Sequence, residues 1–491
     1  MKFKFLFFSI FCLAVTGEVH AQAVNVIGDE TIYRSPWGVL EKCVAIQKLP
    51  RGEYKESDLE KEKEYCSIHF YDNTVALCAK TWSTSAATII NDNSKTGLVS
   101  EVSEEKHCKL GKGNPLKSLA KFKQTMNAVG EENRATSGTF SLSSLLYYHL
   151  SRYLDTTLDV PVAVYRSMDK DAHFLRVTSK ANPSPNAQML SFAWEVMKSA
   201  LVNPSAYSPF TDLFTVDKKQ IFGVILKDAG ERYGPELNGT RVSGWGLGQN
   251  LDFMKTPAFS SLRSDLPLRT ALVMGTQEAF SDARMSAAFK NTPPHPVQMV
   301  LWMREVSEIA LLDYLLSQQD RIGNIDYRWF VVYANKNGKI ETMKVDSNAP
   351  RKEMSSVLYT LPKDADLSRY RPILVQKTMI GDNDAGGMPR YANFAKQARM
   401  LESLRHLHPK TYKKLIELSQ DFEGKGELYQ AFSRNFGLNP GQLKQLVDNT
   451  KLAASILTKN CEQGLLKFDL VSYKEAFRDE FKTVELNCRN P

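Results

Sequence analysis

Acidic and amide side chains gather in a short loop near residue 320. An apolar helix over Val297–Leu316 is predicted to lead up to Gln319, and Asp320, Asn324 and Asp326 follow at once. Carboxylate and amide oxygens within one loop suit two tasks, which are accepting a proton and binding a hard divalent cation. Whether further acidic or amide side chains lie beside these depends on the elements that flank the loop.

A β-hairpin follows the loop and is predicted to bring in a further aspartate. Trp329–Tyr333 is rich in β-favouring residues, Asn337-Gly338 is a strong hairpin signal, and the return strand Ile340–Val345 leads directly to Asp346. In kinase-type phosphoryl transfer, one aspartate accepts the proton of the attacking hydroxyl. A second aspartate and an asparagine hold the metal that bridges the phosphates. The order from Asp320 to Asp346 favours that chemistry.

The spacing departs from the usual kinase pattern, in which the asparagine lies five residues after the catalytic aspartate. Here Asn324 lies four residues after Asp320 and Asp326 lies six after it, so both stay open as partners of the metal. Arg321 is expected to anchor the loop by pairing with a carboxylate. The alternative is an ordinary helix and hairpin with exposed acids.

A lysine that would neutralise phosphates lies much earlier in the chain. Ser118–Lys123 is predicted to be a strand with Lys121 and Lys123 on the same face. A kinase needs a strand lysine to pair with the nucleotide phosphates. Two surface lysines on an edge strand would give the same pattern. A helix over Ser141–Leu154 and a strand from Val160 are predicted to follow.

The order of these motifs resembles the secreted atypical kinases of the Golgi casein kinase and xylosylkinase family, and more distantly the bacterial spore-coat kinases. The matching pieces are LAKFK, the helix and strand YYHLSRYLDTTLDVPVAVYR, the loop LLDYLLSQQDR and the final VDSN. The resemblance implies an α+β, two-lobed, protein-kinase-like fold. It also implies a helical C-terminal lobe, preceded in this chain by a β-rich extension that disulfides hold together.

The resemblance also implies a role for each candidate residue. Lys123 would be the nucleotide lysine with Lys121 as its fallback, Asp320 the catalytic base, and Asp346 the metal ligand, helped by Asn324 or Asp326. The cofactors would be ATP or another nucleoside triphosphate and Mg²⁺ or Mn²⁺. The acceptor would be a hydroxyl of a protein or a glycan.

One position departs from the family pattern. Where the family has a helix glutamate that joins the lysine and the metal, this chain has Ser143-Ser144. Glu131 or Glu132, in the preceding loop, is the candidate replacement. Without such an acid, the same fold would serve as a pseudokinase, a catalytically impaired module that binds a nucleotide or a protein. The third alternative is an unrelated exported binding or structural protein.

The N-terminus predicts export. Residues 1–23 have the charged start, the apolar run Phe5–Val15 and the small-residue end Ala21-Gln22-Ala23 of a signal peptide. The apolar run is too short to span a bilayer, and no other stretch approaches that length. A periplasmic or secreted location follows, and because such compartments hold little ATP, the phosphate donor stays open.

Composition agrees with a soluble, exported chain. The formal charge of +8 on 491 residues suits a phosphate ligand, but without clustered basic residues it does not indicate nucleic acid. Cys12 leaves with the signal peptide, and six cysteines remain. In an oxidising compartment we expect Cys461 to pair with Cys488 and two bridges to form among Cys43, Cys66, Cys78 and Cys108.

The chain is predicted to divide into a cysteine-containing β-rich extension over 24–110, a kinase-like N-lobe with inserts over 111–230, and a mostly helical C-lobe over 231–491. Within the extension, 68–78 is predicted to be a hairpin around Asp72-Asn73. In the C-lobe, Asp382–Gly387 resembles part of a calcium loop. The full spacing and the final glutamate are missing, so a turn is predicted there.

Overall fold

The structure is a computed structural model, and it describes residues 25–132, 134–207, 212–227, 231–232, 244–283, 286, 289, 295–345, 361–368 and 370–491. The predicted signal peptide and Asp346 lie outside these ranges. The fold combines a large antiparallel sheet, a smaller sheet and many helices, which confirms the predicted α+β class.

The strands of the described residues form two sheets. They are β1 (Gly28–Arg34), β2 (Leu40–Ile46), β3 (Val75–Ala79), β4 (Thr88–Asp92), β5 (Ser118–Gln124), β6 (Ala163–Asp169), β7 (Gln220–Leu226), β8 (Glu231–Arg232), β9 (Ile325–Ala334), β10 (Ile340–Lys344) and β11 (Ile373–Ile380). The larger sheet has seven strands in the order β1-β2-β6-β7-β5-β4-β3, and the smaller has the order β10-β9-β11 with β8 also paired to β9.

Helices pack on the larger sheet and fill the C-terminal part. They are α1 (Glu56–Cys66), α2 (Ser100–His107), α3 (Ser143–Tyr153), α4 (Lys170–Arg176), α5 (Gln188–Val202), α6 (Leu247–Phe253), α7 (Pro257–Leu262), α8 (Leu268–Ser281), α9 (Pro296–Leu316), α10 (Phe394–Gln397), α11 (Met400–Ser403), α12 (Pro409–Gly424), α13 (Glu427–Asn435), α14 (Pro440–Glu462) and α15 (Tyr473–Phe477). Over the described ranges, no helix has the length and apolar character that a bilayer crossing requires.

The strand that carries Lys123 is an interior strand. β5 pairs with β4 on one side and with β7 on the other, so the edge-strand alternative does not apply. Ala120 and Phe122 belong to the core that packs under α5. Because side chains alternate along a strand, Lys121 and Lys123 lie on the opposite face of the sheet.

A buried helix leads into the loop over 317–324 that contains Asp320 and Asn324, here called the acidic loop. Nearly every residue of α9 is buried, as its apolar sequence on all sides requires. The helix ends at Ser317, whose backbone is left-handed with φ of 50°, and the chain turns there into the loop that contains Asp320.

The smaller sheet returns the chain to the same loop. The predicted hairpin is present as β9 and β10, with Ala334 opposite Ile340. β11 pairs with the other edge of β9, and its last residue, Ile380, lies opposite Ile325, the first residue of β9. The residues after Ile380 therefore emerge beside the loop that precedes Ile325.

The hairpin predicted over 68–78 is wrong. β3 pairs with β4, so the hairpin loop is 80–87, and the residues before Val75 form turns. Asp72 accepts a hydrogen bond from the backbone of Thr74 at 2.8 Å, which closes a local turn ahead of the strand instead of a two-strand connection.

The predicted disulfides are confirmed. Cys43 pairs with Cys66, Cys78 with Cys108, and Cys461 with Cys488, with Cα separations of 5.4, 5.1 and 5.7 Å. The first two bridges tie β2 to α1 and β3 to the segment after α2. β1–β4 of the predicted extension share one sheet with β5–β7.

Replacing both Cys78 and Cys108 by serine should lower the free energy of unfolding by about 3.6 kcal/mol, because the bridge closes a chain segment of 30 residues. Denaturant unfolding of the oxidised proteins measures the difference. The matched control is the wild-type protein after reduction, which should lose at least as much. Equal stability of the variant and the oxidised wild type would show that this bridge does not form.

Candidate active site

A buried ion pair joins the early strand to a late loop. Lys123 is 2% exposed, and its Nζ donates to Asp384 Oδ1 at 2.6 Å and to Asp382 Oδ1 at 3.0 Å. These partners lie 259 and 261 residues further along the chain. The structure thus brings the predicted lysine to the run that the sequence suggested was only a turn.

Three lysines favour the ionised form of Asp382. Lys123 holds the pKa of the Asp382 carboxyl well below its usual range, against the opposing effect of burial, and Lys80 and Lys121 act in the same direction as Lys123. Asp382 is therefore ionised at neutral pH. Lys123 forms the ion pairs with Asp382 and Asp384, and Lys121 adds positive charge from the same strand.

The loop that carries the aspartates is compact because its glycines allow close packing. Asp382 has φ of 45°, and Asn383–Ala385 forms a single 3₁₀ turn. A Cβ on Gly386 would lie 2.9 Å from the carbonyl oxygen of Leu316, and Gly387 has φ of 78°. The loop therefore lies directly against the end of α9, and larger residues would push it away.

Arg321 connects this loop to the acidic loop. Its guanidinium donates to both oxygens of Asp313 at 3.0 Å, which is the carboxylate anchor that the sequence predicted. The same group donates to the carbonyl oxygen of Gly381 at 2.8 Å and to Asn383 Oδ1 at 3.0 Å. Tyr147 of α3 donates to Asp313 at 2.7 Å. One buried guanidinium thus fixes both loops to α9 and α3.

Asp320 and Asn324 are close together despite their short spacing. Asn324 Nδ2 donates to the carbonyl oxygen of Asp320 at 2.6 Å and to its Oδ2 at 3.3 Å. Gly323 between them has φ of 89°, which allows the tight turn. The backbone N–H of Gly381 donates to the carbonyl oxygen of Asn324 at 3.1 Å. Asp320, Asn324 and the residue before Asp382 therefore belong to one hydrogen-bonded network.

The other predicted residues have different surroundings. Asp326 is buried as the second residue of β9, opposite Met379 of β11, and its role as a metal ligand stays a prediction. The metal role predicted for Asp346 falls outside the described residues. Glu131 and Glu132 are exposed, and Glu132 lines an open groove of about 840 Å³ against α5. Their proposed pairing with Lys123 is therefore wrong.

Lys123 pairs with Asp384 and not with the start of α3, where the sequence has Ser143-Ser144. Ser143 and Ser144, at the start of α3, are buried, and neither hydroxyl makes a hydrogen bond within the part of the chain that the structure describes. Lys123 finds its second carboxylate in Asp384 instead, two residues after Asp382. In the sequence, the sign of this contact is a pair of acids that follows a strand and precedes Gly-Gly. A comparison with the spacing of calcium-binding loops does not reveal it.

The donors present fit a hard divalent cation that also binds phosphate. Asp382, Asp384 and Asn324 offer oxygen ligands, and Oδ2 of Asp384 is buried without a hydrogen-bond donor among the described residues. The described ranges contain no cluster of three or more His, Cys, Asp or Glu side chains that would hold a metal alone. Mg²⁺ commonly uses one or two carboxylates and completes its shell with water and substrate phosphates.

Comparisons with known proteins give structural matches only. No family model matches the chain, and no curated protein matches it by sequence. A crystal structure of the Golgi casein kinase matches with 11% identity and a TM-score of 0.41, covering 86% of this chain and 84% of that one. The same kinase with Mn/ADP bound matches with 10% identity and a TM-score of 0.41, covering 86% and 80%. The hydra Fam20 structure with sugar matches with 10% identity and a TM-score of 0.41, covering 84% and 93%.

The family named in these matches is the one that the order of sequence motifs suggested.

Replacing Lys123 by methionine should lower the free energy of unfolding by roughly 3 kcal/mol, because it leaves the buried carboxylate of Asp384 beside the partly exposed carboxylate of Asp382 without a counter-charge. Adding Asp384→Asn to Lys123→Met should recover part of that loss. Denaturant unfolding of both variants in the presence of EDTA measures these changes. Lys121→Met is the control, and a loss for Lys123→Met no larger than for the control would contradict a buried ion pair.

Proposed function

We propose that the chain is a metal-dependent atypical kinase, which transfers a phosphoryl group from a nucleoside triphosphate to a hydroxyl of a protein or a glycan. The observation that supports this most strongly is the buried contact of Lys123 with Asp382 and Asp384. Kinase catalysis requires a strand lysine held by a carboxylate, together with an aspartate that binds the metal beside the catalytic loop. Each of these parts has a counterpart around Lys123.

The proposal gives each side chain one task. Lys123 binds the phosphates, and Asp384 holds its ammonium in place. Asp382, rather than the predicted Asp346, binds the metal together with the amide oxygen of Asn324, whose nitrogen is already engaged by Asp320. Asp320 accepts the proton of the acceptor, and Arg321 is a positioning residue that keeps the two loops together.

In the transfer step, the acceptor hydroxyl gives its proton to the Asp320 carboxylate while its oxygen bonds to the γ-phosphorus. The bond from that phosphorus to the bridging oxygen breaks, and the nucleoside diphosphate leaves. When bound, the cation neutralises charge on the phosphate oxygens. The protein mainly positions the reactants and stabilises charge, because the loose transition state needs little covalent help.

Two features of the sequence support the pseudokinase alternative, and the contacts argue against both. The helix glutamate is absent, but Asp384 supplies a carboxylate to the lysine at 2.6 Å. Asn324 lies four residues after Asp320 where the usual kinase pattern has five, but its amide nitrogen still donates to the carbonyl oxygen of Asp320. An active site is therefore the function that these residues favour.

Export remains part of the proposal. Three disulfides are the arrangement of a protein from an oxidising compartment, which supports a periplasmic or secreted location. Periplasmic ATP is scarce, so we propose that the chain meets its nucleotide outside that compartment or uses another phosphate donor.

Comparing Asp382→Asn with Asp346→Asn tests which aspartate binds the metal. Asp382→Asn should weaken the binding of Mg²⁺·ADP about 100-fold, because it removes one member of a buried charged set. Asp346→Asn should bind like the wild type. Calorimetric titration with and without EDTA measures the affinities, and thermal unfolding confirms that both variants fold. Weak binding by Asp346→Asn with normal binding by Asp382→Asn would restore the sequence prediction.

Asp320→Asn separates binding from transfer. It should keep the wild-type affinity for Mg²⁺·ADP and lose about 100-fold or more of the transfer rate, because it removes only the proton acceptor. Release of labelled phosphate from the γ-position of ATP to water or to added hydroxyl acceptors measures the rate. A wild type that binds the nucleotide but shows no metal-dependent release under any condition would support the pseudokinase instead.

A further inference from the structure

The hairpin loop between β3 and β4 lies next to the strand that carries Lys123. Its sequence, KTWSTSAA over 80–87, has no glycine. Its base is fixed, since the N–H of Lys80 donates to the Ala87 carbonyl at 2.9 Å and the indole of Trp194 donates to the Lys80 carbonyl at 3.0 Å. At its tip, Ser83 and Thr84 are exposed, and Ser83 has φ of 74°.

Lys80 is buried among charges of the site. Its side chain is 6% exposed, and in the described part of the chain its ammonium contacts the hydroxyl of Ser85 at 3.3 Å. Burial lowers the pKa of Lys80 to about 8; the charges of Lys123 and Lys121 act in the same direction, and those of Asp382 and Asp384 oppose it. Ala79 lies opposite Thr88 and Thr88 lies opposite Phe122, which places Lys80, Ala87 and Lys123 in the next row across the sheet.

A purely structural role explains this placement poorly. A buried ammonium whose hydrogen-bond partner is a neutral hydroxyl is costly, and an apolar side chain of equal length would avoid that cost. The carboxylates of Asp382 and Asp384 both accept from Lys123, so among the described residues the buried ammonium of Lys80 has only a hydroxyl as its hydrogen-bond partner. An anion that enters between the loop and the sheet would supply the missing counter-charge.

We propose that Lys80 is a second phosphate-binding residue of this site, which contacts the phosphate chain of a nucleoside di- or triphosphate from the hairpin loop while Lys123 contacts it from β5. The inference rests on the proposed function. In protein kinases a glycine-rich loop covers the phosphates with its backbone. In this chain, the loop has no glycine, and a lysine with neighbouring hydroxyls performs that task.

Inorganic tripolyphosphate is the probe, because it tests phosphate binding without the base, the ribose or transfer. Lys80→Met should bind tripolyphosphate about 10- to 100-fold more weakly than the wild type, as expected for the loss of a charged hydrogen bond. The thermal midpoint of the unliganded variant should be unchanged or higher, because the substitution removes a buried charge. Lys451→Met, which removes an exposed lysine of α14, is the matched control and should bind normally.

Each outcome decides the proposal. Affinity of Lys80→Met within twofold of the wild type overturns it, as does a wild type that binds no tripolyphosphate. Weakened binding without loss of stability supports it. If Lys80→Met does not fold, Lys80→Gln is measured against the same criteria. Binding through Lys80 in a wild type that transfers no phosphate from ATP leaves this inference standing and removes the proposed function.

Discussion

The ion pair between Lys123 and the loop at Asp382 and Asp384 is the constraint on which the site depends. Counter-charges close by stabilise the buried ammonium of Lys123, and both come from a loop more than 250 residues away in sequence. The pairing forces the seven-stranded sheet and the end of β11 to approach each other. Any nucleotide that binds Lys123 is consequently placed beside these aspartates.

Arg321 holds the acidic loop against the loop that contains Asp382 and Asp384. Its planar guanidinium reaches Asp313, Gly381 and Asn383 at once, which a lysine with a single nitrogen cannot do. Asp313 in turn accepts from Tyr147 of α3. The helix that lacks its glutamate therefore still contributes to the site, through a phenol, an aspartate and an arginine rather than through a direct contact with Lys123.

Local patterns in the sequence predicted much of this arrangement. The disulfides follow from an even number of cysteines in an exported chain. The hairpin of β9 and β10, the buried helix α9 and the strand with Lys123 each leave a signal within a short stretch of sequence. The partners of Lys123 do not, because their position depends on β11 returning to the far edge of β9. For that reason the sequence predicts only a turn at Asp382, and it offers Glu131 or Glu132, in the loop before α3, as the carboxylate instead.

The surroundings of Lys80 are also not evident from the local sequence. A lysine in a serine- and threonine-rich hairpin loop reads as a surface residue until the order of strands places β3 and β4 beside β5. The sequence pattern predicts the hairpin over 68–78 instead of around the loop that holds this lysine. Pairing between strands, rather than the residue types themselves, carries the missing information.

Crystals grown with Mn²⁺ and a non-hydrolysable ATP analogue test the central claim most directly, because the anomalous signal of manganese locates the cation independently of the protein density. The account predicts a peak within coordination distance of the Asp382 carboxylate, with phosphate oxygens in hydrogen-bond contact with Lys123. Manganese and phosphates bound elsewhere, with Asp382 and Asp384 both still closed on Lys123, would contradict it.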